Sequence, residues 1–146
     1  MTEELKLIKQ VISSLDQNPP QKSTANIPIN DMWLRLISRY NFETVYKTNL
    51  CRNIRLGLLH EVKTLMVERR QLGIDRYGTV LQAFNSRNAI DDLLAEQLDS
   101  LAYSEQVSLE HPELSETMIA WQKNTINEMQ KLIAFKESKN ASKSEQ

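Results

Sequence analysis

Residues that turn the chain are scarce in this sequence. It contains only 3 glycines and 4 prolines among 146 residues, and three of the prolines fall between residues 16 and 30. An all-β domain needs frequent turns, which Gly, Pro and Asn usually make. Elsewhere the apolar residues recur at helical spacing. The sequence therefore predicts an all-α fold, a four- to five-helix bundle with a flexible linker and a disordered C-terminal tail.

The first 30 residues differ in pattern from the rest of the chain. Residues 3–15 place apolar side chains at helical spacing and are predicted to form a helix. Residues 16–30 are rich in Pro and Asn, which predicts an extended, mobile linker. A helical domain is expected over residues 31–137. Residues 138–146 carry almost no apolar side chain and are predicted to be a disordered tail.

Capping residues give the first helix boundaries of the predicted domain. Asp31 is the expected N-cap of a short helix. A long helix is predicted from about Phe42 to Leu72, and Gly73 is its expected C-cap. Residues 74–85 show no helical period and include Gly78, so they are predicted to form a structured loop.

Two further helices are predicted in the C-terminal half. One runs from about Arg87 to Leu109 and ends before the His111-Pro112 pair, because proline disfavours helix at the preceding residue. The last begins near Leu114. Its Trp121, like Trp33 of the short helix, is expected to anchor the core.

Charge and cysteine content narrow the range of partners. The 18 basic and 19 acidic residues give a net charge of -1, so no global field favours nucleic acid or an anionic membrane. No apolar run is long enough to cross a bilayer, and the first residues do not form a secretory signal. The single Cys51 excludes an internal disulfide and a cysteine-based zinc site. A cytoplasmic protein is the expectation.

Carboxylates share a face of the third predicted helix. Asp92, Glu96 and Asp99 lie three and four residues apart, which puts them on one side of a helix. Together with carboxylates of a neighbouring helix, such as Glu61 and Glu68, they could hold a hard cation such as Mg²⁺ through oxygen ligands. The simpler interpretation is a solvated acidic face.

The loop between the two long helices is rich in side chains that recognise nucleotides. It offers Arg76, Tyr77, Gln82, Asn85 and Arg87. Gln and Asn can read a base edge, Tyr can stack on a base, and Arg can bind a phosphate. The alternative is a loop that only packs and caps, with Asn85 or Ser86 as the N-cap of the next helix.

Residues 68–103 resemble small MazG-like proteins of the all-α nucleoside triphosphate pyrophosphohydrolase family, especially the phage-type members. The resemblance rests on the motif Arg-Tyr-Gly-Thr-Val-Leu-Gln at 76–82, on Asn85 with Arg87, and on the Glu-x-x-Asp pair Glu96 and Asp99 followed by Tyr103. It covers about a quarter of the chain well and extends loosely over residues 42–135. The resemblance implies the all-α fold of that family and a homodimer or homotetramer. It also implies Mg²⁺, or alternatively Mn²⁺, as the cofactor.

The resemblance also implies an activity, the hydrolysis of a (deoxy)nucleoside triphosphate to its monophosphate and pyrophosphate. The metal ligands and catalytic residues would be Glu68, Glu96 and Asp99, with Asp92 as a further ligand. The sequence departs from the family pattern at Gln71, where a carboxylate is usual, and Ser86 and Asn88 replace the usual Gly and Asp. Gln71 and Glu96 are separated by 24 residues, which suits the motif.

Two other functions remain open on the same residues. The neutral Gln71 favours a catalytically impaired protein that binds a nucleotide without hydrolysing it. The amphipathic helices are also consistent with a helical protein–protein interaction module that forms a homo-oligomer. A membrane is not an expected partner, and the sequence carries no strong nucleic-acid signal, although a local basic patch is compatible with it.

Overall fold

The computed structural model describes residues 2, 3, 6, 19–43 and 52–144. These residues form four α-helices and one 3₁₀ turn, and none of them lies in a β-strand, so the predicted all-α fold is confirmed. The helix predicted over residues 3–15 lies outside the described residues, apart from Glu3 and Lys6. Within the described part of the chain, every helix is too short or too polar to span a bilayer.

The helices follow one another without interruption by other secondary structure except the 3₁₀ turn. We number them α1 (Met32–Glu43), α2 (Arg52–Tyr77), α3 (Ala89–Glu110) and α4 (Ser115–Ser144), and Pro112–Leu114 form the 3₁₀ turn between the last two. The chain divides into two compact units. One spans Pro19–Arg87, and the other contains Met1–Asn18 and Asn88–Gln146.

In the 19–87 unit, Asp31 begins α1 as predicted. Its Oδ1 accepts a hydrogen bond from the Leu34 backbone N–H at 3.1 Å, which satisfies one of the unpaired donors at the helix start. Its Oδ2 accepts from Nε of Arg70 on α2 at 2.8 Å. One buried carboxylate therefore both caps α1 and ties it to α2.

The C-terminal end of α2 differs from the prediction. Gly73 lies inside the helix rather than capping it, and α2 continues to Tyr77. Gly78 is the residue with the left-handed conformation (φ 76°), and its N–H donates to the Ile74 carbonyl at 2.8 Å. The helix continues past Gly73 because glycine inside a helix costs only a modest amount of free energy, which the helical residues on both sides compensate. The predicted loop at 74–85 is thus helical over its first four residues.

The described part of the predicted linker is held in place by hydrogen bonds. Residues 19–31 contain no helix, as expected, but they hydrogen-bond to the loop after α2. The Met32 N–H donates to the Leu81 carbonyl at 3.0 Å, and the Gln21 N–H donates to the Asn85 carbonyl at 2.9 Å. We call this set of bonds the clasp, formed between residues 19–32 and residues 81–86.

The other unit is built on an antiparallel pair of helices. Asn88 is the N-cap of α3, since its side chain accepts from the backbone N–H groups of Ile90 and Asp91, so the expected caps Asn85 and Ser86 are wrong. The helix ends at Glu110, and Pro112 comes next but one, as predicted. Leu94 and Ala95 are buried between the helices, against Ile90, Met129, Leu132 and Ile133.

Polar contacts fix the register of α3 against α4. The Gln122 amide on α4 donates to the Ser104 hydroxyl at 3.1 Å, and Lys136 pairs with the largely buried carboxylate of Asp91. The helix α4 then continues to Ser144, so the described part of the predicted disordered tail is helical. No Pro or Gly interrupts residues 138–144, and their helix propensities are ordinary.

Candidate functional site

The two carboxylates of the Glu-x-x-Asp pair lie on the exposed side of α3. Glu96 and Asp99 are both exposed and one helical turn apart, as the sequence period predicts. Asp92, one turn before Glu96, is half-buried. Asp91 is different because it faces the inside of the helix pair, where Lys136 neutralises it. Asp91 is thus paired inside the helix pair, whereas Glu96 and Asp99 are exposed.

Glu68 belongs to the other unit, where it is exposed on α2. Within either unit, the described residues contain no group of three or more His, Cys, Asp or Glu side chains placed to hold a metal ion. Asp92, Glu96 and Asp99 therefore do not form a complete cation site by themselves. The convergence of Glu68 with Glu96 and Asp99 stays a prediction.

Gln71 occupies the position where the resemblance would place a carboxylate. Its amide nitrogen donates to Oδ1 of Asp75, one turn further along α2, at 2.9 Å. Asp75 is also seven residues from Glu68, so both lie on the same side of the helix. Asp75 was not among the site residues predicted from the sequence. Its spacing of seven from Glu68 was the signal available for finding it.

The two predicted base-reading residues, Gln82 and Asn85, bind backbone groups through their side chains. The side-chain oxygen of Gln82 accepts from the Ser23 N–H at 2.7 Å. Asn85 is buried, and its side-chain oxygen accepts from the Arg87 N–H at 3.2 Å. These contacts favour the packing interpretation for Gln82 and Asn85, since the acceptor atoms that would read a base already bind backbone groups.

Arg76, Tyr77 and Arg87 lie near the ends of the loop. The Arg76 guanidinium lies over the ring of Tyr77, with 5.4 Å between its central carbon and the ring centroid. Both side chains are exposed in the last turn of α2, whereas Arg87 is half-buried. Arg76 and Tyr77 are thus accessible to a ligand, and their stacking restricts the guanidinium to one region of the surface.

Phe84 is the most unusual residue of the loop. Its side chain is 77% exposed, and its backbone has a left-handed conformation (φ 57°) that disfavours a bulky residue. The neighbour on one side, Ala83, is held by both atoms of the Asn30 amide, at 2.7 and 3.2 Å. The neighbour on the other side is the buried Asn85. The clasp therefore keeps an aromatic side chain in solvent at the expense of backbone strain.

A groove lies on the α3–α4 pair. It has a volume of about 380 Å³ and is lined by Gln97, Ser100, Trp121, Asn124, Thr125 and Glu128. Trp121 is 53% exposed, so the prediction that it anchors the core is wrong. Leu94 and Ala95 face α4 in its place. The side-chain oxygen of Gln97 is buried and accepts no hydrogen bond from any described residue.

Comparison with known proteins identified no relative of this chain. No family model, no curated protein and no solved structure matches the chain. A function is therefore inferred from the residues described above and from the motif resemblance over residues 68–103.

Proposed function

We propose that the protein is a Mg²⁺-dependent hydrolase that converts a (deoxy)nucleoside triphosphate to its monophosphate and pyrophosphate. The observation that carries the proposal is the placement of Glu96 and Asp99. They are exposed together on one side of α3, in the spacing of the Glu-x-x-Asp motif, while the adjacent Asp91 is used by Lys136. Both motif carboxylates are thus accessible to a ligand.

The donor set fits the proposed cation. Glu68, Glu96, Asp99 and Asp92 offer only carboxylate oxygens, which are the ligands Mg²⁺ prefers in proteins. Mn²⁺ accepts the same donors. Asp75 adds a carboxylate on the Glu68 side of α2, where Gln71 holds it. We propose that Asp75 compensates for the missing carboxylate at position 71.

The residues around these carboxylates have separate tasks in the proposed reaction. Bound Mg²⁺ would offset the negative charge of the phosphate oxygens and lower the pKa of a water molecule. One carboxylate of the Glu96 and Asp99 pair would accept the proton of the attacking water. Arg76 or Arg87 would bind the departing pyrophosphate, where negative charge accumulates. Tyr77 would then lie next to the nucleotide.

The proposal is tested by pyrophosphate release from each NTP and dNTP in the presence of Mg²⁺ or Mn²⁺. We expect Glu96→Gln and Asp99→Asn to abolish turnover, and also to abolish the rise in melting temperature that Mg²⁺ produces by binding the folded state. Glu137→Gln, an exposed carboxylate on α4, is the matched control and should retain both. Unchanged turnover in Glu96→Gln would overturn the assignment of this residue.

A second candidate is a nucleotide-binding protein without hydrolysis. The observation that favours it is the Gln71–Asp75 hydrogen bond, because it engages both side chains at the place where the resemblance requires a free carboxylate. Calorimetry on the same panel separates the two candidates. A nucleotide that binds but is never hydrolysed, with either metal, supports the binder.

We further propose that the protein is a homo-oligomer, either as this enzyme or as a plain helical interaction module. Among the described residues, Leu94 and Ala95 are the only buried hydrophobic ones, while many large apolar side chains remain exposed. Monomeric proteins rarely leave large contiguous apolar patches in solvent. A second copy of the chain would cover them.

A further inference from the structure

The charges of this chain are distributed unequally between its two halves. Residues 19–87 contain 11 of the 18 basic residues and 5 of the 19 acidic residues, for a net charge of +6. Residues 88–146 contain 5 basic and 11 acidic residues, for a net charge of -6. All eight arginines lie in the 19–87 unit. The overall charge of -1 therefore conceals a strongly basic unit.

Part of this positive charge borders a groove beside the start of α1. The groove has a volume of about 300 Å³ and is lined by Ile29, Leu34, Arg35, Ser38 and Arg39. Arg35 and Arg39 are exposed and one helical turn apart, so their guanidinium groups belong to the same side of α1. That spacing suits successive anionic groups along an extended ligand, and guanidinium groups bind phosphate in particular.

The loop that carries the exposed ring of Phe84 is bonded to the segment that borders this groove. Ile29, which lines the groove, precedes Asn30, and the Asn30 amide binds both backbone groups of Ala83. Phe84 comes immediately after Ala83. The clasp thus ties the loop that carries the exposed ring to the segment that carries the apolar Ile29, directly before the helix with the two arginines. Stacking rings beside a basic groove are the combination by which proteins bind single-stranded nucleic acid without reading its sequence.

We propose that the 19–87 unit binds single-stranded nucleic acid, with a base stacked on Phe84 and successive phosphates bound by Arg35 and Arg39. A strand fits this unit better than a single nucleotide because the two arginines belong to α1 and the ring belongs to the loop after α2. An acidic peptide would pair with the arginines but would leave the strained, exposed ring without a role. The proposal does not depend on the hydrolase, since it uses none of the carboxylates assigned to that reaction.

The test is fluorescence anisotropy of the full chain with labelled single strands of DNA and RNA of about 16 nucleotides, near the upper end of the usual site size. The two strand types distinguish the sugar. We expect Phe84→Ala to weaken binding about 5- to 100-fold, as loss of one stacked base does, and Phe84→Trp to preserve it. In the Phe84→Trp variant, quenching of tryptophan fluorescence by the strand beyond that of the wild type would report stacking directly. Far-UV circular dichroism would confirm that both variants are folded.

The arginines are tested by salt dependence. For a single strand, each phosphate contact contributes about 0.7 to the slope of log affinity against log salt, so R35Q/R39Q should lower the slope by about 1.4. K123Q/K131Q changes the net charge equally but in the other unit, at two exposed positions of α4, and should leave the slope unchanged.

Three results would overturn the proposal. In the first, K123Q/K131Q weakens binding as much as R35Q/R39Q, which would mean a nonspecific charge effect. In the second, polyglutamate binds as tightly as the strand and is insensitive to Phe84→Ala. In the third, the matching mononucleotide binds as tightly as the strand, so that Phe84 belongs to a nucleotide site. Glu96→Gln should bind the strand normally, whether or not the protein hydrolyses nucleotides.

Discussion

At the scale of single residues, Asp31 shows how one carboxylate can serve two elements. Its two oxygens have different partners, the Leu34 N–H of α1 and the Arg70 guanidinium of α2. The capping role follows from the sequence, because an Asp before an apolar-periodic segment is a common helix start. Arg70 is 39 residues away, and no local pattern points to it.

We predict that the two roles of Asp31 can be separated by substitution. Asp31→Ala removes the cap and the ion pair and should lower the free energy of unfolding by about 1–3 kcal/mol. Asp31→Asn keeps a side-chain oxygen for the cap and should cost about 1 kcal/mol less than Ala. Denaturant unfolding followed by circular dichroism measures both. Equal losses in the two variants would contradict the capping role.

At the scale of secondary-structure elements, the sequence predicts the existence of helices better than their ends. The helical spacing of apolar residues predicts α1, α3 and α4, and the spacing of Glu96 and Asp99 predicts that they share a helix face. The end of α2 was not, because Gly73 and Gly78 are equally good local stop signals. A tertiary hydrogen bond distinguishes the two glycines. The Met32 N–H binds the Leu81 carbonyl, so the chain must leave the helix shortly before Leu81.

The loop of the candidate site shows the same limit. Gln82 and Asn85 have the composition of base-reading residues, and their actual partners lie in the 19–32 segment or in the adjacent backbone. The Gln82–Ser23 bond joins residues 59 positions apart in the sequence. The strain at Phe84 was likewise invisible in the sequence, since it arises from the bonds that hold Ala83 and Asn85.

The two glycines of α2 give a paired prediction at this scale. Gly73 lies within the helix, and an added Cβ would meet nothing within 4 Å, so Gly73→Ala should raise the free energy of unfolding by about 0.5–1 kcal/mol. Gly78 has a positive φ, so Gly78→Ala should lower the free energy of unfolding by about 1–2 kcal/mol. An added Cβ would meet nothing within 4 Å there either, so the loss comes from the backbone conformation. Shifts of the denaturation midpoint in the same direction would contradict the observed end of α2.

At the scale of the whole molecule, we predict that exposed apolar residues of α2 mediate self-association. Val62, Leu65 and Leu72 form one stripe along this helix, and Val67 lies on the opposite side. Light scattering at tens of micromolar, a working range for weak association, should give a multiple of 16.9 kDa. Leu65→Glu should reduce the mass.

Val67→Glu is the matched control for this prediction. Leu65 is 58% exposed and Val67 is 53% exposed, so both substitutions add the same charge to the same helix at similar exposure. If only the stripe is an interface, Val67→Glu should keep the mass of the wild type. A monomeric wild type would contradict the homo-oligomer, and equal effects of the two variants would contradict the stripe as its location.

The clasp also has a consequence for the order of events during folding. It joins residues 49 to 65 positions apart, and closing a loop of that length costs about 3–4 kcal/mol of chain entropy before any contact compensates. Its six hydrogen bonds, worth about 1 kcal/mol each, must also offset about 1–2 kcal/mol of backbone entropy for every residue that they order. The clasp can therefore persist only after α1 and α2 have packed and shortened the gap. During synthesis the 19–31 segment leaves the ribosome long before its partner, and Phe84 reaches its strained conformation only after that packing.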